Sequence, residues 1–182
     1  MGKCGKMCHK VGKYFLLLAL KQKNLMLNLL GEYDCKLDAK GRFMFPSGLK
    51  KQLAEVMHEG FVVNRNVFEN CLVIYPMSEW NKISGQLGKL NRFIKKNEQF
   101  VRRFNNGATV VELDGAGRML VPKVLVDYAD LKKEVKVCGN GDRIELWSKK
   151  SFEKIMKEQI DFGQLAEEVM GSLGNNTQED VS

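Results

Sequence analysis

An α+β fold assembled from two copies of one strand-turn-strand unit is the architecture this sequence predicts, on three observations. The segment Leu37-Asp38-Ala39-Lys40-Gly41-Arg42-Phe43-Met44-Phe45-Pro46 returns 76 residues later as Leu113-Asp114-Gly115-Ala116-Gly117-Arg118-Met119-Leu120-Val121-Pro122, with Leu49 and Leu125 also matched. Each copy is followed by short apolar runs of strand length separated by polar turns. Between the copies, and again after the second, apolar residues recur at helical intervals. A repeat that holds Asp, Gly, Arg and Pro in register while its apolar residues drift marks one small unit used twice.

Taken in order, Asp34 to Pro46 reads as strand, turn, strand, with the Asp38–Gly41 turn between Tyr33–Leu37 and the apolar Phe43-Met44-Phe45. Pro46 lacks the amide proton that a central strand donates, so pairing should end there. A short helix, 47 to 58, follows with Ser47 as its cap. Phe61–Val63 and Leu72–Tyr75 are strands around the Asn/Glu-rich turn 64–70. Trp80, Ile83, Leu87, Leu90, Ile94, Val101 and Phe104 predict one or two amphipathic helices over 78–105, their aromatic residues serving as core. The second half answers in kind. Val110–Leu113 and Met119–Val121 flank the second turn, Pro122 ends the strand, and 124–133 is the short helix. Val135–Cys138 and Ile144–Trp147 flank the hairpin turn Gly139-Asn140-Gly141-Asp142. Phe152, Ile155, Met156 and Ile160 mark a C-terminal helix, and residues 171–182 are polar, glycine-containing and expected to be disordered.

These elements divide the chain into an extension outside the fold (1–25), a first half with its helices (26–105), a second half with its helix (106–165) and a flexible tail (166–182). At 182 residues the chain can bury a core for one compact domain, or for two small halves sharing one. The net charge of +7 is unevenly spread: six lysines and no acid lie in residues 1–25, leaving +1 for the remainder. Within that remainder, residues 78–105 hold seven basic side chains against Glu79 and Glu98, a segment that suits a solvated helix face or a phosphate-facing one.

Residues 1–20 mimic a secretory signal, a basic stretch followed by the apolar run Tyr14–Leu20. Lys21 and Lys23 follow at once and no small-residue cleavage site is present. Met26 is therefore expected to be the working start, preceded by a misassigned or dispensable extension. Five scattered cysteines make a disulfide framework an unsuitable reading and fit a reducing cytoplasm. Cys4, Cys8 and His9 lack a fourth ligand at finger-like spacing, so no metal site is assigned. From residue 26 onward the only histidine is His58, and no Ser/His/Asp, Cys/His or phosphate-cradling glycine motif accompanies it. Neither catalysis nor a cofactor is expected.

The repeated turn carries the chemistry. Asp38 and Asp114 can accept hydrogen bonds from turn amides, and Gly41 and Gly117 can take positive φ without a Cβ clash. Turn geometry thus accounts for four residues and leaves Arg42 and Arg118 unexplained. A guanidinium fork matches phosphate oxygens or the O6/N7 edge of guanine, so its repetition at one offset reads as a pair of nucleic-acid contacts. Lys40 adds a flexible charge to the first loop; Ala116 adds none to the second.

The run Met26 to Lys51, with Gly31-Glu32-Tyr33 ahead of Leu37–Arg42 and Pro46, resembles the MraZ family of bacterial transcriptional regulators. Asp114, Gly117, Arg118 and Pro122, followed by Gly139-x-Gly141-Asp142-Arg143-Ile144-Glu145-Leu146-Trp147, resemble that family's second copy. The likeness covers roughly residues 26–155. It implies a pair of AbrB-like swapped-hairpin units interleaved into a small β-barrel with pseudo-twofold symmetry and peripheral helices. It also implies a ring-shaped homo-oligomer that binds double-stranded promoter repeats upstream of the division and cell wall gene cluster, in the cytoplasm at the nucleoid. Asp38, Lys40, Gly41 and Arg42, with Asp114, Gly117 and Arg118, would be the DNA-binding residues. Ala116 departs from a commonly polar position, which implies that the second loop gives more phosphate contact and less base reading. A protein-binding scaffold or antitoxin-like module on the same fold, its arginines pairing with a partner's carboxylates, is the alternative.

Overall fold

The computed structural model describes residues 27–158 and 160–175. The extension 1–25, with Cys4, Cys8 and His9, lies outside the described residues, as does Met26. Eight strands form two sheets: β1 (Leu29–Lys36), β2 (Arg42–Met44), β3 (Phe61–Arg65), β4 (Leu72–Pro76), β5 (Thr109–Val111), β6 (Arg118–Leu120), β7 (Glu134–Gly141) and β8 (Arg143–Ser148). Six make an antiparallel sheet in the order β1-β7-β8-β4-β3-β5, and β2 pairs with β6 in a two-stranded ribbon. The helices are α1 (Ser47–Gln52), α2 (Met77–Gly88), α3 (Lys95–Phe104), α4 (Lys123–Tyr128), α5 (Lys149–Met156) and α6 (Phe162–Asn175), with a 3-10 turn at Met57–Glu59.

The halves are interleaved. β1 of the first half pairs with β7 of the second, and β5 of the second pairs with β3 of the first. The strand-turn-strand expected over Asp34–Pro46 is consequently no ladder of its own; only the Leu37↔Phe43 bridge joins its arms, and Leu113↔Met119 does the same in the second copy. Where the halves cross, each central residue faces its own repeat counterpart. Phe43 pairs with Met119 in the ribbon, and Val73 pairs with Glu145 between β4 and β8, the two being counterparts when Ile74-Tyr75 is aligned with Leu146-Trp147. This register defines a local twofold relation that one repeat unit, paired with itself, would generate.

Burial follows the same plan. In both ribbon strands the middle residue points inward and its neighbours outward, the period of two that a strand imposes. Phe43 and Met119 are buried, while Met44 and Leu120 are exposed. Phe45, Leu49, Leu53, Phe61 and Ile74 from the first half and Val121, Leu125, Val135, Val137 and Leu146 from the second join them in one core. A smaller cluster, Cys71, Cys138, Trp147 and Phe152, lies under α5, and burial pushes the Cys71 and Cys138 thiols up to about 12. Sequence spacing recovers the strand-borne part of this core, but not the helix faces: of the apolar residues expected on the helices over 78–105 only Val101 is buried, and Ile94, Met156 and Ile160 are exposed, Ile94 and Ile160 lying outside the helices.

Several element ends differ from expectation for local reasons. Pro46, not Ser47, occupies the cap position of α1, and no side chain caps it. α1 stops at Gln52 instead of 58, giving way to turns and the 3-10 segment before Gly60 (φ +82°) leads into β3. α4 ends at Tyr128 instead of 133 because Asp130 takes φ +44° and the Leu131 amide donates to Val126 O (3.0 Å), a Schellman closure with Asp in the usual glycine place. Asn64, expected in a turn, is fully buried in β3, and its Nδ2 donates to Phe104 O at 2.8 Å, fastening α3 to the sheet. The segment 78–105 is two helices, held together by a Trp80–Phe104 ring stack at 5.8 Å. The tail expected to be flexible from 166 is helical as far as Asn175.

Among the described residues no helix is long and apolar enough to cross a membrane, and no group of His, Cys, Asp and Glu is placed to hold a metal ion. The exposed edge of β1 is partly closed by Gln52, whose Oε1 accepts from Leu30 N (3.0 Å) and whose Nε2 donates to Leu30 O (2.9 Å). β1 lies so close to β7 that a Cβ on Gly139 would come within 2.8 Å of Leu29 C and Leu30 N. Since backbone cannot yield there, Gly139→Ala is expected to lose about 1–3 kcal/mol of stability in a urea titration.

Candidate nucleic-acid interface

The two turns are built alike. Asp38 Oδ1 accepts from Lys40 N and Arg42 N, both at 2.9 Å, while Gly41 N donates to Asp38 O and Asp38 N donates to Arg42 O. Asp114 Oδ1 accepts from Ala116 N and Arg118 N at 2.9 and 3.0 Å, with the same two main-chain bonds. Gly41 and Gly117 take φ +80° and +75°, the region that the turn demands and that side chains avoid. The turns also interlock: Val121 N donates to Gly41 O at 2.9 Å and Phe45 N to Gly117 O at 3.2 Å, so each loop is anchored by the strand that follows the other.

The arginines require a correction to the sequence reading, which left them outside the turn. Arg42 Nε and Nη2 lie 2.8 and 2.7 Å from Asp38 Oδ2, and Arg118 Nε and Nη2 lie 2.9 and 2.8 Å from Asp114 Oδ2. One aspartate therefore organises the whole motif, its first oxygen on two amides and its second on the guanidinium. Such a pair orients the side chain without consuming it. Two of the five N–H donors are engaged, and Nη1 together with the remaining hydrogen of Nη2 still forms an end-on fork. The side chains of Arg42 and Arg118 are 28% and 37% exposed, so both forks reach solvent.

The ribbon puts these forks on one face. Arg42 faces Leu120 and Met44 faces Arg118, while Phe43 and Met119 point inward. Arg42 and Arg118 are diagonal neighbours on the outer face, with the loops trailing from opposite ends of the ribbon. Lys40 lies in a cleft of about 630 Å³ beside the first loop, lined also by Lys123, Val126, Asp127, Lys132 and Lys133. All seven residues that the sequence singled out are thus gathered around one two-stranded element. Sequence reasoning missed the Asp–Arg bonds, although the four-residue spacing across a tight turn could have signalled them.

Asp38 and Asp114 both titrate below the ordinary carboxylate value. The Arg42 amide is the largest cause for Asp38 and its guanidinium the next; for Asp114 it is the Arg118 amide, with the guanidinium and the Ala116 amide assisting. A carboxyl with a depressed folded-state pKa contributes stability above its unfolded value, about 3.9, and loses it as pH falls through the lower folded value. The melting temperature of the wild type is therefore expected to hold above about pH 5 and to fall below about pH 4. The Asp38→Asn/Asp114→Asn variant should lack that part of the acid sensitivity.

The basic segment 78–105 has its acids neutralised locally. Glu98 pairs with Arg92 at 2.6 Å and Arg102 at 3.2 Å, and buried Glu79 pairs with Lys82 at 2.9 Å. Lys89, Lys95, Lys96 and Arg103 make no ion pair among the described residues, so the outer side of α3 remains positive.

Fold and loops together define a duplicated α+β protein that presents two equivalent charged turns from one β-ribbon. The chain belongs to the MraZ family: the family model described as "MraZ protein, putative antitoxin-like" matches it twice, over residues 28–103 and 104–172. A protein of Christiangramia forsetii named transcriptional regulator MraZ is 51% identical over 148 residues, covering 81% of this chain and 96% of the relative. Relatives of the same name from Flavobacterium psychrophilum and Clostridium tetani are 45% and 37% identical, covering 83% and 80% of this chain and 97% and 98% of their own lengths.

Proposed function

We propose that this protein is a sequence-specific DNA-binding transcriptional regulator, and that Arg42 and Arg118 on the outer ribbon face make its base and phosphate contacts. One observation carries the reading: both end-on forks emerge from the same side of a two-stranded ribbon, the only secondary structure besides a helix that the major groove, about 12 Å wide, admits. Asp38 and Asp114 orient the forks, Gly41 and Gly117 keep the loops narrow, and Lys40 adds a phosphate contact. The names of the relatives support the same class.

A single ribbon reads few bases, and each base pair read is worth roughly 1–3 kcal/mol of discrimination. Specific binding thus calls for several copies acting together. We assign that role to a ring-shaped homo-oligomer whose subunits engage successive promoter repeats, raising the local concentration of each loop. The repeats are those upstream of the division and cell wall gene cluster, which places the protein in the cytoplasm, at the nucleoid. The interleaved pairing of β1 with β7 and β3 with β5 supports an AbrB-like swapped-hairpin barrel as the underlying plan.

The test is a titration of the Met26-start protein against a duplex of its own upstream DNA at several salt concentrations. The logarithm of the affinity should fall linearly with the logarithm of salt, by roughly 0.9 per phosphate neutralised, and a scrambled duplex should compete poorly. A protein-binding scaffold or antitoxin-like module would give neither a steep slope nor discrimination, and that outcome would displace the proposal.

A further inference from the structure

We infer that Lys50 is a DNA-phosphate contact belonging to the second loop, supplied from the first half of the chain to replace the lysine that this loop lacks. The inference rests on the DNA-binding reading above and adds a residue that the motif does not contain. Under the offset of 76 residues, Lys50 of α1 corresponds to Val126 of α4, and Lys40 corresponds to Ala116. The structure shows what this helix position touches. A Cβ on Gly41 would lie 3.7 Å from Val126 Cγ2, whereas a Cβ on Gly117 would fall on Lys50 Nζ and lie 3.2 Å from its Cε. In both copies the position one residue after the buried leucine, Leu49 or Leu125, is the one that leans on the partner loop's glycine.

The two carriers are therefore exchanged. The first loop holds its own lysine and meets an apolar helix residue; the second holds alanine and meets a lysine. Charge follows the exchange. Asp38 and Arg42 cancel, as do Asp114 and Arg118, so among the turn residues themselves Lys40 leaves the first loop at +1 and the second at zero, and Lys50 brings a positive charge to the second. Among the described residues Lys50 makes no ion pair. An ammonium held over a glycine at φ +75°, beside an oriented guanidinium and without a carboxylate of its own, is disposed for an oxygen anion arriving at the loop. In a DNA complex that anion is a backbone phosphate, a contact that adds affinity without reading sequence. Lys50 thereby compensates Ala116, giving each loop one lysine at the turn although their sequences differ.

The test uses the full chain, a fluorescein-labelled duplex of its upstream DNA and a scrambled duplex of equal composition, with affinity measured by anisotropy from low to moderate salt. Lys50→Ala should weaken binding to both duplexes by the same factor and reduce the salt slope by about one for each second loop engaged. Lys51→Ala, on the same helix and away from Gly117, should leave the slope unchanged. The rescue variant Lys50→Ala/Ala116→Lys should recover the wild-type slope, a result that a merely structural role for Lys50 would not produce. An unchanged slope in Lys50→Ala, or no recovery in the rescue variant, while Arg118→Ala does lose binding, overturns the inference and leaves the DNA reading standing. If Arg42→Ala and Arg118→Ala also bind like the wild type, the DNA reading itself falls.

Discussion

Arg42→Ala and Arg118→Ala are each expected to abolish discrimination between promoter and scrambled duplex while leaving the fold intact. The fold persists because Oδ1 of Asp38 or Asp114 still accepts the two turn amides, and the ribbon remains fastened by Val121 N to Gly41 O and Phe45 N to Gly117 O. Discrimination goes because each arginine takes with it roughly 1–3 kcal/mol per base pair read, a loss repeated at every repeat that an oligomer engages. Arg42→Lys should not restore it, since an ammonium is a point charge without the planar fork. Asp38→Asn tests the orienting role separately. Asparagine can still accept from the turn amides but cannot hold the guanidinium as a carboxylate does, so binding should weaken through looser positioning while circular dichroism stays close to the wild type and melting at neutral pH falls only by what the charged carboxylate contributed. Anisotropy against the two duplexes distinguishes these outcomes.

Phe45→Ala is expected to have the largest effect on stability, about 3–5 kcal/mol, out of a total that for a domain of this size is about 5–15 kcal/mol. Phe45 is buried, its ring lies 5.4 Å from that of Phe61 and 6.3 Å from that of Phe43, and its amide is bonded to Gly117 O. The side chain thus closes the core directly beneath the ribbon and joins the halves at their crossing. Its loss should lower the denaturant midpoint in a single cooperative transition, because both halves share that core. Phe68→Ala provides the contrast: this ring is 92% exposed in the loop between β3 and β4, and its removal should leave the midpoint where it was. Two separate transitions in the Phe45→Ala protein would show that the halves fold independently.

The turns were legible in the sequence because their causes are local. An aspartate accepting two amides, a glycine at positive φ and a proline closing the strand act within ten residues, and each recurs in the structure where the pattern put it. Gly141-Asp142 was equally local: the register Asn140↔Arg143 leaves a two-residue connection with Gly141 at φ +64°, the sign that a type II′ turn needs at its first position. Strand partners were not legible in this way. Apolar alternation shows that Leu29–Lys36 has a buried side, yet nothing in it shows that β7, and not β2, lies alongside. That choice is made by the shared core and by the absence of a side chain at Gly139. Helix ends were misjudged where a single residue departs from helical φ, as at Asp130, and the capping role expected of Ser47 went to the main chain at Pro46. The Lys50 contact had no local signal at all. It emerges only when the loop of one copy is set against the helix of the other.

The outer face of the β2–β6 ribbon is the surface expected to meet the double helix. Met44 and Leu120 sit on that face beside the two arginines and are more than half exposed, so either can be replaced by a photoreactive benzophenone side chain without entering the core. Irradiated with the upstream duplex, proteins labelled at position 44 or 120 should cross-link to DNA, and a protein labelled at the fully exposed Phe93 should not. Cross-linking from position 93 with none from 44 or 120 would contradict the account.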